Sequence, residues 1–421
     1  MKKNKTKLVQ ACAMALVGFS SVAVNAADSV GLSDVYQMAV KHDAQLAQQR
    51  ALYEASKEGV TAIKGTLLPQ IQADGSYFIT DTDLADGAGD VTARDLSITL
   101  NQPLYNQAIW SRFEQAKYLV DQAKSSLDSA EQDLILRVAD SYFKVLLAQE
   151  DVALSKTKEK ADKLQWDRAQ ASAEVGLGSR SDVLQAKSSF DLTKSERINA
   201  ENNLDVAFEE LIKLTGRSLS SLETLRSTAK LPSESFDMQQ WVQRAEDHNL
   251  EVKQVEAQLK TAMEEVEAQK AGHWFTASLQ AKVTDSDYSD YSGSAYNDST
   301  NTRIGVSVSV PLYAGGSTSA QVSEARFKQN SAQQAFRNSR EQARLNARIQ
   351  VRSVERGESL IAALREAVKS NSSFLEAAEE GYKVGLKNLL EVLTARSNLF
   401  NARRNLIEAM HGQVINRLNL E

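Results

Sequence analysis

Few residues in this chain stand at spacings that could do chemistry. The four histidines, His42, His248, His273 and His411, lie far apart and form no i, i+4 pair, so they offer no metal site. Asp285-Ser286-Asp287 resembles a calcium loop but lacks the glycine and the closing glutamate, and reads as part of a solvated external loop. Ala314-Gly315-Gly316 lacks the lysine of a phosphate-binding loop and reads as a hinge. No nucleophile is matched to a base. The pattern gives no catalytic residue, no metal and no other cofactor, and the expectation is a protein that is not an enzyme. What remains is ion pairing. Asp182 follows the triplet Val175-Gly176-Leu177, while Tyr382, Lys387, Glu391 and Thr394 surround Val384-Gly385-Leu386. A carboxylate, a phenol and an ammonium group can link two chain segments. The same residues can also be ordinary helix-end groups: Asp182 an N-cap, Lys387 a solvated turn residue, Glu391 an acid in a first turn. The residues alone leave both readings open.

The elements that position these groups are long. Arg303 to Ala335 begins as a strand in which Ile304, Val306, Val308 and Val310 alternate with Gly305, Ser307 and Ser309. Pro311 ends it, since proline has no N–H to give to a ladder. Gly315 and Gly316 relax the backbone, and a polar, Ala- and Gln-rich helix follows. The same unit occurs earlier, where Leu96, Ile98 and Leu100 alternate with Ser97, Thr99 and Asn101 ahead of Gln102-Pro103-Leu104-Tyr105 and a second long helix. Two of the chain's four prolines sit in these matching Pro-Leu-Tyr corners.

Residues 1–26 carry Lys2, Lys3, Lys5 and Lys7, then an apolar run from Leu8 to Val24 and small residues at Val24-Asn25-Ala26. This is the pattern of a secretory signal peptide. Cys12, the only cysteine, lies inside it, and Gln10 stands where a lipobox needs a small residue, which argues against lipoprotein anchoring. The expected mature chain therefore has neither disulfides nor thiolate chemistry. Removing four lysines takes the formal net charge from −6 to −10, which argues against nucleic acid as a partner. No later stretch has the run of about eighteen apolar residues of a membrane helix. A membrane crossing by this chain has to be a barrel.

In order, Leu32 to about Thr66 reads as a helix with Asp34 in its first turn. Ile71 to Ile79 alternates as a strand, Asp81 to Arg94 reads as a polar loop, and the strand Leu96–Asn101 returns. A helix from near Leu104 to about Glu174 would be roughly 100 Å long at 1.5 Å per residue. Phe113, Ala116, Val120, Ala123, Leu127, Ala130 and Leu134 form a heptad seam whose alanines demand close approach of a neighbour. Val175-Gly176-Leu177-Gly178-Ser179 breaks the helix, and Asp182 caps a return helix that ends near Gly216. Residues 217–237 read as a connector. From 238 the plan repeats: a helix to about Gly272, a strand through Phe275–Val283, a polar loop Asp285–Thr302, the strand at Ile304–Val310, a long helix to about Tyr382 and a return helix. Val175, Gly176, Leu177, Val183, Leu184, Ala186 and Ser188 reappear as Val384, Gly385, Leu386, Val392, Leu393, Ala395 and Ser397, each offset by 209 residues. The expected organisation is a duplication, with repeats 27–216 and 238–421.

Four strands of about ten residues suit a tilted membrane crossing, but four cannot close a barrel and lipid does not tolerate open edges. The smallest barrels have about eight strands, so several chains must pool theirs.

The signal peptide, the paired strand–Pro-Leu-Tyr–helix units, the Val-Gly-Leu turns and the duplication together resemble the TolC family of outer membrane efflux channels, over essentially the whole mature chain. The resemblance implies a mainly α fold with membrane β: a homotrimer whose twelve-stranded β-barrel in the outer membrane lipid continues as a twelve-helix α-barrel of long coiled-coil helices across the periplasm. It implies an export duct for drug efflux or type I protein secretion, served by a periplasmic adaptor protein and an inner-membrane RND or ABC transporter. Carried over residue by residue, it makes Asp182, Tyr382 and Lys387 gate residues near the turns, with Lys387 standing where the family has arginine. It makes Glu391 the first of two lumen acids, and puts Thr394 where the family has the second. Val175, Gly176, Leu177, Val384, Gly385 and Leu386 would form exposed tips that dock the adaptor. A secreted coiled-coil envelope spacer is the reading from another class, but a spacer has no use for four alternating strands. A periplasmic adaptor would need compact β-domains flanking its hairpin, which this chain lacks.

Overall fold

The computed structural model describes residues 30–84, 87–219, 222–223, 237–289 and 296–420. The expected signal peptide, 1–26, and most of the expected connector, 217–237, lie outside them. The chain is mainly helical. It runs α1 (Leu32–His42), α2 (Ala44–Gly65), β1 (Gln70–Leu84), β2 (Gly87–Tyr105), α3 (Gln107–Glu174), α4 (Arg180–Thr215), α5 (Met238–His248), α6 (Leu250–Lys270), β3 (Thr276–Ser289), β4 (Tyr296–Ser309), α7 (Ser317–Lys383) and α8 (Leu389–Leu420). It divides into two compact units. One holds residues 48–128 and 248–342, and the other holds the remainder, so α3 and α7 contribute to both. No described helix is long and apolar enough to cross a membrane.

The first of these units contains the sheet, four antiparallel strands in the order β1-β2-β3-β4. Ile98 pairs with Ala73 on one side and with Val283 on the other, and Ala281 continues the same face to Ile304. That face is apolar and uncovered: Ile71 and Ile304 are 71% and 73% exposed. Among the described residues β1 and β4 each pair on one side only. Tyr105 stacks on Phe275 with ring centroids 4.7 Å apart, where strands give way to helices. Gln115 Nε2 on α3 donates to Glu265 Oε2 on α6 at 3.2 Å, and Gln254 Nε2 on α6 donates to Ser126 Oγ at 2.9 Å. Short polar contacts of this kind fit helices that approach closely along small residues such as the buried Ala116 and Ala257.

The other unit carries the larger apolar core. Leu134, Val138 and Val145 of α3 are buried, as are Leu211 of α4, Val351 and Val354 of α7, and Val392 of α8. Val35 and Ala39 bury one stripe of the short helix α1. Tyr142 Oη donates to the Glu223 carbonyl at 2.8 Å, and burial pushes its phenol up to about 12. The described part of the connector is therefore tied down, with Leu222 buried and bridged to Val30.

Several sequence expectations need correction. The polar loops expected at 81–94 and 285–302 are largely strand: β1 reaches Leu84, β2 starts at Gly87, β3 reaches Ser289 and β4 starts at Tyr296. A ladder is held by backbone groups, so a hairpin can extend beyond the stretch whose side chains alternate in polarity. The long helix begins at Gln107, because Leu104 and Tyr105 stay in β2, which passes Pro103 through a register shift. The single helices expected over 32–66 and 238–272 are each broken in two. Asp43 takes extended backbone and Asn249 another non-helical one, and their side chains accept from Leu46 N at 2.7 Å and Val252 N at 3.0 Å. Asp and Asn compete with the helix in this way by capping the next one.

Asp43 also accepts both arms of Arg137, at 2.8 and 3.1 Å, with its side chain only 7% exposed. The Arg137 guanidinium holds its carboxyl below the usual 3.8. A lowered value stabilises the fold above the unfolded value, and that contribution is lost as pH falls through the lowered one. Replacing Asp43→Asn should therefore cost about 2 kcal/mol near neutral pH. The difference should persist down to about pH 5 and shrink below about pH 4. Denaturant titrations of both proteins across that range check it.

Candidate functional site

Both Val-Gly-Leu triplets end a long helix in the same way. After α3, Gly176 N donates to the Ala173 carbonyl at 3.1 Å and Leu177 N to Ser172 at 2.9 Å. After α7, Gly385 N donates to Tyr382 at 3.1 Å and Leu386 N to Gly381 at 2.8 Å. This closes the orphan carbonyls of the last turn and needs a left-handed residue, which Gly176 (φ +77°) and Gly385 (φ +75°) supply. The flanking side chains are held out in solvent: Leu177 is 86% exposed and Leu386 84%, with Val175 and Val384 nearly as open. Each hairpin thus ends in a small apolar tip.

The helix that returns from the first tip is capped by a residue other than the expected one. Ser179, and not Asp182, is the N-cap of α4. Its hydroxyl accepts from Asp182 N at 3.0 Å while Asp182 accepts from Ser179 N, a reciprocal capping box. The Ser179-x-x-Asp182 spacing carried that signal. In α8, Asn388 Oδ1 accepts from Glu391 N at 2.9 Å.

Two residues given separate roles are brought together. Lys387 Nζ donates to Glu391 Oε2 at 2.9 Å, an i, i+4 pair across the start of α8, and lies 5.2 Å from the centre of the Phe374 ring. The Lys387 ammonium lowers the Glu391 carboxyl below 4.5. The order Lys before Glu is visible in the sequence. Thr394 turns its hydroxyl back to the Leu390 carbonyl at 2.8 Å. Tyr382 packs against an apolar cluster of Ala169, Ala186 and Leu389, together with Val183, the neighbour of Asp182. Among the described residues no hydrogen bond or ion pair within one chain joins Asp182 to Tyr382 or Lys387. No described group of three acids or histidines is placed to hold a metal ion.

Sequence reasoning missed a buried cluster joining all four hairpin helices. Arg396 Nη1 on α8 donates to Asp162 Oδ1 on α3 at 3.1 Å, and Nη2 to Glu379 Oε1 on α7 at 2.9 Å. Thr193 Oγ1 on α4 donates to Asp162 Oδ2 at 2.7 Å. The Asp162 and Arg396 side chains are 2% and 15% exposed. The bonded partners stand 17 to 234 positions apart, so no local spacing announces them. Trp166 stacks on Phe190 at 5.5 Å between α3 and α4. The arrangement has no group placed for bond chemistry. It can hold two helical hairpins to one another by charge and expose their tips.

Comparison with known proteins supplies the context. The sequence profile described as outer membrane efflux protein matches residues 35–217 and 241–421. The outer membrane protein TolC of Vibrio cholerae is 30% identical, across 98% of this chain and 94% of its own. The proteases secretion protein PrtF of Dickeya chrysanthemi is 28% identical, across 95% of this chain and 89% of its own. The CmeC outer membrane channel of Campylobacter jejuni has a similar fold, with a TM-score of 0.80, 15% identity and coverage of 96% and 89% of the two chains.

Removing Arg396 should expose the cost of its cluster. Arg396→Ala leaves Asp162 buried without its cation, a loss of about 3 kcal/mol. Asp162→Asn added to that variant should recover part of it, because it removes the stranded charge. Thermal unfolding followed by helical circular dichroism checks the order wild type, double variant, single variant.

Proposed function

The chain belongs to the outer membrane efflux protein family, and from that premise we propose that three copies assemble into one continuous duct. It is an outer membrane channel protein of the efflux and secretion type. In the proposed assembly the three sheets close a twelve-stranded barrel, and the helical hairpins form a twelve-helix tube across the periplasm. The observation that carries this reading is the sheet itself: an apolar, uncovered face bounded by two strands unpaired on one side. In hydrocarbon those edges must be paired, and other copies of the same chain supply the partners. A coiled-coil spacer leaves that face unexplained. The equivalent helix breaks and tips in residues 27–216 and 238–421 support an origin by duplication.

Membership of an efflux protein family and similarity to a proteases secretion protein support a duct for drug efflux, type I protein secretion or both, with cargo delivered by an inner-membrane transporter of the RND or ABC class. The apolar tips at Val175-Gly176-Leu177 and Val384-Gly385-Leu386 are the proposed seats of a periplasmic adaptor, since exposed apolar side chains on a turn suit a partner surface. Near them lies the proposed gate. Lys387 and Tyr382 face the carboxylate of Asp182 from a neighbouring hairpin of the ring. Lys387 then serves two acids, Glu391 in its own helix and Asp182 across the gap. Threefold symmetry makes Glu391 a ring of carboxylates, and such a ring favours cations.

Planar-bilayer recording of the purified protein tests this. Lys387→Glu with Tyr382→Phe should raise single-channel conductance, because it removes the link and sets two acids at i, i+4 beside each other. Glu391→Ala should lower the preference for cations with conductance nearly unchanged. With its carboxyl held below 4.5, wild type should keep that preference at about pH 5. Unaltered conductance in the double variant would remove the gate assignment and leave Asp182 as a capping-box residue only.

A further inference from the structure

On the opposite face of the sheet two cations stand side by side. Lys282 on β3 pairs directly with Arg303 on β4. The row continues through Thr99 on β2 to Gln72 on β1, both uncharged. Directly paired residues share a face, and this face alternates with the one bearing Ile98, Val283 and Ile304. With the apolar face toward lipid, Lys282 and Arg303 point into the barrel.

Like charges directly opposite one another on neighbouring strands are destabilising unless something offsets them. The acids of the same face do not. Asp74 accepts from Gln72 Nε2 at 2.6 Å, and Asp95 accepts from Ser286 Oγ at 2.6 Å and Tyr288 Oη at 3.3 Å. Neither Lys282 nor Arg303 has an ion pair among the described residues, and both side chains are open to solvent. Two uncompensated cations carried on neighbouring strands about 5 Å apart can close on one oxyanion group. Arginine offers a planar fork to such a group and lysine a mobile point charge.

We propose that Lys282 and Arg303, repeated threefold, form an anion-binding collar in the barrel lumen that engages phosphate- or carboxylate-bearing export cargo. The inference rests on the trimeric channel reading above and deepens it. Rings of Lys and Arg select for anions and phosphates in other pores. The collar is chemically opposite to the Glu391 ring. Cargo carrying several acidic groups is drawn to it, while a small permeant anion passes with little delay. Salt should weaken the attraction, because both groups are exposed.

Tripolyphosphate serves as the probe, added in turn to each side of a planar bilayer containing the full-length mature trimer. Wild type should show voltage-dependent block from one side. Lys282→Gln with Arg303→Gln should need at least tenfold more tripolyphosphate for half-block, and Lys282→Gln alone should fall between. Both changes keep long polar side chains at solvent-exposed positions, and the conductance of each variant reports that it has assembled. Conductance without block in wild type, or equal block in the double variant, would overturn the collar while leaving the channel reading intact. A wild-type protein that gives no conductance would overturn the channel reading, and the collar with it.

Discussion

A strand edge has no tolerable place in hydrocarbon. Each unpaired N–H or C=O group left there costs several kcal/mol, and nothing in lipid can satisfy it. The sheet described here combines that problem with its opposite: a face of isoleucine, valine and leucine that is costly to leave in water. Only closure with further strands inside a membrane answers both. In the proposed trimer the edges of β1 and β4 set the assembly state, the direction in which the apolar side chains face and the face that lines the pore. In the proposed barrel the same constraint turns Lys282 and Arg303 toward the lumen.

The helices obey a different economy. A helix of 68 residues such as α3 cannot bury itself in a core of ordinary width. It packs through small side chains, with Ala116, Ala130 and Ala169 buried along its length, and through larger ones such as Leu134, Val138 and Val145. At the tip-proximal end large apolar groups such as Leu389, Trp166 and Tyr382 pack beside a charged cluster. Asp162 and Arg396 form a buried pair braced by Thr193 and Glu379. Buried ion pairs add little stability over apolar packing, but they are costly to break singly. Such a cluster specifies how two hairpins meet.

The sequence made some of this legible and hid the rest for physical reasons. The period-two alternation at Ile304–Val310 marked β4, because its apolar and polar side chains point to opposite faces of the sheet. The same signal faded beyond Arg94 and Asp285, where the ladder continues without that alternation. Both Val-Gly-Leu turns were visible, since only glycine accepts their left-handed backbone. The helix breaks at Asp43 and Asn249 were written as Asx caps but lie within otherwise helical patterns. Ser179 could have been recognised from its spacing to Asp182. The Arg396 cluster could not, because its partners are distant in sequence and meet only when four helices are packed.

The claim on which the account depends is that the unpaired edges are closed by copies of the same chain. Native mass measurement of the protein, extracted from outer membranes in mild detergent, tests it most directly. The account predicts a single species with the mass of three mature chains, and no folded monomer at any dilution that keeps the strands in detergent. A stable folded monomer with intact strands would contradict it.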